Sequence, residues 1–221
     1  MKDRGGLNLR VLLALVVLVV VAGVVALVAG GSSGSSPSSG GSPKQLASQQ
    51  HLDASGILTP VRQAPPLKLK NYLGEPVDIA SYKGKAVLVT FLYTNCPDVC
   101  PLIASNLRVA QNLMSAKDRA DTEILAVSVD PKGDTRKAVA RFLARHEMTG
   151  RMQYLVGSAK ELAKAWEAWG VGSERDARQP QFINHSGLIY GITGSGKRLT
   201  IYAASFKPAE IAHDAPLLAA R

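Results

Sequence analysis

Apart from Cys96 and Cys100 the chain contains no cysteine, so any disulfide within it can only join those two. Only three residues separate them, and closing so small a loop removes little entropy from the unfolded chain. The pair therefore reads as functional rather than as a structural staple. A dense basic run is also missing: the net charge is +9, yet Lys68, Lys83, Lys85, Lys132, Arg136, Lys137 and Arg141 are spread along the chain. Nucleic-acid binding needs a concentrated patch, so that class falls away. The excess charge suits an acidic partner, anionic lipid or simply a solvated surface. There is no internal repeat. Nor is there a compact set of two histidines, one cysteine and a weak axial ligand, which excludes a blue-copper electron carrier.

What is present begins with an apolar run. Val11 to Ala29 is nineteen positions without a charge or a strongly polar side chain, long enough to cross a bilayer as a helix. Lys2, Arg4 and Arg10 precede it against one acid, Asp3. That bias predicts a cytoplasmic N-terminus over residues 1–10, a single-pass plasma-membrane anchor over 11–30 and an extracytoplasmic remainder. A cleaved signal peptide is the rival, with small residues at Ala29, Gly30 and Gly31, but its apolar region is ordinarily shorter. No cysteine follows the span closely, which argues against a lipoprotein anchor. Gly31 to Pro43 is made entirely of Gly, Ser and Pro, a flexible tether. Residues 31–50 form the linker, with a reach of roughly 25 Å by random-coil scaling. Residues 51–221 form one domain with enough apolar sequence for a full core.

Within the domain, strands and helices alternate. Ala86 to Leu92 is a continuous apolar run, a buried strand. Ile103, Leu107, Ala110 and Met114 then recur at 4-3-4 steps, one face of a helix. Glu123 to Val129 is a second buried strand. Asp134 or Thr135 caps a second helix with Val139, Phe142 and Leu143 on its face. Gln153 to Val156 is a short strand. Ser158 and Glu161 form a capping-box pattern opening a helix with Leu162, Trp166 and Trp169 on one side, both tryptophans serving the core. A polar loop from Gly172 to Pro180 follows. Leu188–Thr193 and Leu199–Ala203 flank Gly194-Ser195-Gly196-Lys197, a hairpin signal. Pro208 opens a last helix and Pro216 is expected to end it. The fold class is α/β, with parallel core strands, an antiparallel terminal hairpin and helices on the sheet.

The cysteines lie in Thr94-Asn95-Cys96-Pro97-Asp98-Val99-Cys100-Pro101, at the junction of the first core strand and its helix. Pro97 suits the first helical position, which would put Cys96 and Cys100 on one face, four apart. Both thiols would then feel the positive end of the helix dipole, which favours thiolate. Two convergent thiolates serve equally as ligands for Cu(I) or Zn(II) and as a redox pair. Of the four histidines, His51 is expected to be exposed, His146 to sit as a cation near a helix end and His213 to lie on the surface beside Asp214. His185 differs: it stands in Phe182-Ile183-Asn184-His185-Ser186-Gly187, just before a predicted central strand, where a loop can approach the cysteine turn. Asp130 and Asp134 are read as turn and capping residues, and Asp98 as tuning the site or starting the helix.

Three blocks in order give this pattern a family likeness. Tyr93 to Pro101 resembles the signature of the Sco/SenC family. Val127-Ser128-Val129-Asp130-Pro131 with Asp134-Thr135 is similar to its second block. Asn184-His185-Ser186 leading into Leu188 to Ile192 is similar to its third. The anchor and the Leu73-Gly74-Glu75-Pro76-Val77 turn also match, and the resemblance covers residues 65 to 215. It implies a thioredoxin-like fold and a copper site formed by Cys96, Cys100 and His185, holding Cu(I) and also Cu(II). It further implies delivery of copper to the CuA centre of cytochrome c oxidase subunit II, with thiol-disulfide activity toward that subunit's cysteines as an associated role; another exported copper protein is the alternative partner. One departure is visible: Asn184 stands where many members carry Asp. An amide can hydrogen-bond the histidine but cannot offset Cu(II) charge.

Two other functions compete. A thiol-disulfide oxidoreductase needs only Cys96 and Cys100, but the spacing differs from the usual two-residue gap and no proline stands just before Leu188. A peroxidase of the same fold would resemble peroxiredoxins in carrying threonine three residues before its cysteine, where this chain has Tyr93.

Overall fold

Ala86–Leu92 (β4) is buried along its whole length, as an apolar run must be when helices cover both faces of its sheet. The computed structural model describes residues 51–172, 174–175, 183–184 and 187–221, all within a unit spanning Ala47–Arg221. The predicted anchor and linker lie outside the described residues. Among the described residues no helix is long and apolar enough to cross a membrane.

Before β4 come the strands β1 (Gly56–Gln63), β2 (Lys68–Asn71) and β3 (Pro76–Asp78), and a 3-10 turn at Ile79–Tyr82. After it follow α1 (Val99–Leu113), α2 (Ala116–Ala120), β5 (Thr122–Ser128), α3 (Arg136–Arg145), β6 (Gln153–Val156) and α4 (Ala159–Trp169). The short strands β7 (Glu174–Arg175) and β8 (Ile183–Asn184) pair with each other. The chain ends with β9 (Ile189–Ile192), β10 (Lys197–Tyr202) and α5 (Pro208–Ala219). The main sheet has the order β1-β10-β9-β4-β5-β6-β2-β3. The pairs β4–β5 and β5–β6 are parallel, and β9 runs antiparallel to β4. The expected mixed sheet is therefore present, with three further strands at its edges.

Alternation along β4 sorts the two layers. Phe91 meets the Trp169 ring of α4 at 6.1 Å and the Tyr190 ring at 6.5 Å. Arg198 lies over both the Trp169 and Tyr190 rings. Leu88 points the other way and pairs with Gly191. A methyl at Gly191 would collide with Thr200 and Leu218, so the missing side chain there is what lets α5 approach the sheet. Helix α1 packs against α5, and its predicted face of Ile103, Leu107, Ala110 and Met114 is buried.

Helix ends follow the sequence with three corrections. Ser158 and Glu161 form the predicted capping box. Thr135 is the N-cap of α3 and accepts from the Ala138 amide, whereas Asp134 is turned inward and caps nothing. Helix α1 begins at Val99 with Asp98 as its N-cap position, two residues later than Pro97 suggested. Pro216 lies inside α5, which runs on to Ala219; a proline removes one amide donor, and here the helix continues around that loss. Trp169 is core, as expected, while the half-buried Trp166 donates its indole N–H to Ser128 O at 2.9 Å.

Candidate metal centre

The chain leaves β4 at Leu92 and turns through residues 93–98 before entering α1. Cys96 closes this turn, its amide donating to Tyr93 O at 3.3 Å. Cys100 is the second residue of α1, and its amide donates to Cys96 Sγ at 3.4 Å. Cys96 thus sits in front of the helix, receiving one of the amides a helix start leaves unpaired. The two residues do not share a helical face, but the structure does bring the predicted pair together. No disulfide joins them; Cys96 is 8% exposed and Cys100 0%.

The two sulfurs are not equivalent. Cys96 is lowered to about 5, chiefly by its hydrogen bond from the Cys100 thiol. Burial opposes that, and the Asp98 and Cys100 amides and the Tyr93 hydroxyl assist it. Cys100 is pushed far up, first by that same hydrogen bond to Cys96, then by burial and by the Cys96 charge. The expectation that both thiols favour thiolate is corrected at Cys100, where the hydrogen bond to Cys96, then burial, holds the proton on the sulfur. Tyr93 is pushed up to about 12, burial first, so its hydroxyl stays a donor. At neutral pH the site is one thiolate and one thiol in mutual contact. A soft ion takes both sulfurs as thiolates, and the Cys100 proton leaves on binding.

His185 lies outside the described residues, but its neighbours in the chain do not. The Ile183 amide donates to the Tyr93 hydroxyl at 3.4 Å. A methyl placed on Gly187 would touch Val99 and Ile103 of α1, at 3.6 and 3.9 Å. The described residues on either side of His185 therefore both lie against the cysteine segment. Asn184 is described through its backbone pairing with Glu174.

The remaining histidines are placed elsewhere. His51 is exposed. His146 is the C-cap of α3, but burial lowers its pKa. Its Nδ1 lies 3.3 Å from the Ser105 hydroxyl and its ring 4.7 Å from Phe142, which corrects the expected cation. His213 is half-buried, with Nδ1 2.9 Å from Asp214 and 3.5 Å from Asp53. Asp53, His213 and Asp214 bring their ligand atoms within 4.8 Å of one another. Both oxygens of Asp214 are already used: one accepts from the Asp53 amide and the other from the Tyr202 hydroxyl, each at 2.8 Å. That group is a tie between the start of the domain and α5.

Sequence reasoning missed Asp134. Its carboxylate is 6% exposed and accepts from the Thr94 amide at 2.8 Å, the Ser128 hydroxyl at 2.6 Å and the Tyr154 hydroxyl at 2.9 Å. Burial raises its pKa while these donors oppose the rise. The available signal was Thr135, which suffices as the cap of α3 and leaves Asp134 without a local task.

Comparison with known proteins gives one answer. The profile of the SCO1/SenC family matches residues 59–219. The human protein described as "Protein SCO1 homolog, mitochondrial" is 27% identical over 151 residues, covering 66% of this chain and 50% of that protein. The chain thus spans about half the length of the first curated relatives it matches. The copper-bound ScoI of Bradyrhizobium japonicum superposes with a TM-score of 0.58 at 28% identity, covering 71% of this chain and 99% of that one. Apo Sco1 of Thermus thermophilus gives 0.65 at 24% identity, covering 77% and 98%. These likenesses establish the thioredoxin-like architecture of the domain.

Proposed function

The chain belongs to the SCO1/SenC family, and from that premise we propose that it binds copper through Cys96, Cys100 and His185 and delivers it to the CuA site of cytochrome c oxidase subunit II during oxidase assembly. The observation that carries this reading is the contact between the Cys96 thiolate and the Cys100 thiol at the β4–α1 junction. Two sulfurs on adjacent turns of backbone provide a soft pair suited to Cu(I). His185 supplies the third ligand: it is two residues from Ile183 and two from Gly187, which keeps its Cα within roughly 8 Å of each. The copper-bound relative supports copper as the cargo.

Delivery proceeds by ligand exchange. Cys96 and Cys100 hold the ion as thiolates, and the recipient's thiolates replace them one at a time. Cys100 regains a proton as its sulfur is released, since its buried environment favours the thiol. Asn184 beside the histidine offers no charge to offset Cu(II), so Cu(I) is the form the site favours. The apolar run at 11–30 anchors the chain in the plasma membrane with residues 1–10 in the cytoplasm. The linker at 31–50 lets the domain reach its partner on the extracytoplasmic side.

A second reading is favoured by the asymmetry of the thiols. A lowered nucleophile beside a protonated partner is what thiol-disulfide exchange uses. Cys96 would attack a partner disulfide, releasing one partner thiolate, and Cys100 would lose its proton and resolve the mixed disulfide. The partner's cysteines would be left reduced and Cys96–Cys100 oxidised. Two anaerobic mixtures separate the two: the Cu(I)-loaded full-length chain with the reduced apo soluble domain of oxidase subunit II, and the reduced metal-free chain with the oxidised domain. Copper moving to the recipient supports delivery. No transfer of copper, with reduction of an oxidised recipient, supports the reductase.

A further inference from the structure

Asp134 sits where three units of the fold meet. The Thr94 amide belongs to the cysteine turn, two residues before Cys96; Ser128 ends β5; Tyr154 lies in β6. All three groups are donors, and a carboxylate is an acceptor-only side chain with room for them. The residue has no capping duty, because Thr135 accepts from the Ala138 amide at 3.3 Å. Taking a carboxylate out of water is costly. What the carboxylate adds is the third arm, to Thr94.

Resting on the reading of Cys96 and Cys100 as a copper site, we propose that Asp134 is a positioning residue for that site. It holds the cysteine turn in metal-binding geometry through the Thr94 amide. The turn's internal bond, Cys96 N–H to Tyr93 O, shapes it, and Asp134 ties that shape to the end of β5 at Ser128 and to Tyr154 in β6. The same carboxylate is steadied by its own loop, since the Asp134 amide donates to Asp130 O at 2.9 Å and the Asp130 amide to Ser128 Oγ at 3.1 Å. With the tie cut, the turn and Cys96 are free to swing while Cys100 stays fixed in α1.

The test uses the reduced full-length chain in detergent, with Cu(I) competition measured well below every unfolding midpoint. Asp134→Ala is expected to weaken Cu(I) binding by about 10-fold or more, the range typical of outer-shell partners. Tyr154→Phe cuts an arm of the same carboxylate and leaves the Thr94 arm to the cysteine turn in place. It is expected to lower the midpoint and leave affinity near wild type. Asp134→Asn keeps an acceptor for Thr94 and is expected to recover most of the affinity. Affinity that merely tracks the midpoint across the variants overturns the proposal, as does an Asn variant as weak as Ala. Hydrogen exchange on the unsubstituted chain stands apart from whether any variant folds. The Thr94 amide should exchange as slowly as the β4 amides, and exchange as fast as that of exposed Asn95 overturns the proposal. If the wild-type chain takes up no Cu(I), the copper reading fails and takes this proposal with it. If the wild type binds and Asp134→Ala binds equally, only this proposal falls.

Discussion

Cys96 and Cys100 are chemically alike in sequence and opposite in the fold, because the Cys100 thiol donates to Cys96, amides at the helix start add to that, and burial keeps the proton on Cys100. Iodoacetamide should therefore modify Cys96 in the folded chain along a pH profile centred at about 5, while Cys100 stays unreactive until unfolding. A single reactive thiol titrating near the ordinary cysteine value would contradict this. The same asymmetry sets the pH dependence of copper binding. Above about 5 Cys96 is already ionised and Cys100 still carries its proton, so the thiols release one proton per ion bound. Affinity then rises about tenfold per pH unit. Below about 5 Cys96 is protonated as well, two protons leave, and the slope steepens toward two. Calorimetry at pH 7.5 in buffers of different ionisation enthalpy counts the protons, and the expected count is one.

Helices were legible because their ends and faces carry chemistry in consecutive residues. Ser158→Ala removes the side chain that accepts from the Glu161 amide and donates to Glu161 Oε2. It should cost about 1 kcal/mol, read from the shift in denaturation midpoint. Strand β4 was legible from its apolar run, and the hairpin of β9 and β10 from its Gly-Ser-Gly turn. The edge strands were not. Strand β1 carries Pro60 and is mostly exposed, so it shows no alternation, and its place comes from pairing with distant β10. Helix α1 starts after Pro97 because Cys96 and Asp98 occupy the turn ahead of it, which no local preference revealed. The cysteines and the histidine were visible as residue types in order. Asp134 was not, because its partners Thr94 and Tyr154 are 40 and 20 residues away, and only the folded sheet brings them together.

At the scale of the whole molecule, the start of the domain is fixed to its last helix. The Asp53 amide and the Tyr202 hydroxyl both end on the buried Asp214 carboxylate, with His213 beside it. Asp214→Ala leaves those donors without their acceptor. It should destabilise the chain by about 1–3 kcal/mol for each donor left buried and unpaired, and the Asp53 amide should lose its protection from hydrogen exchange. Copper binding below the unfolding midpoint should be spared, since this tie is separate from the cysteine turn. The central claim is that the cysteine turn and the segment through His185 form one copper site. The direct measurement is an anaerobic Cu(I) competition titration of the reduced full-length chain beside Cys96→Ser and His185→Ala. The account predicts one tight equivalent, lost with Cys96→Ser and weakened with His185→Ala. Weak binding indifferent to His185 would contradict it and leave a dithiol reductase.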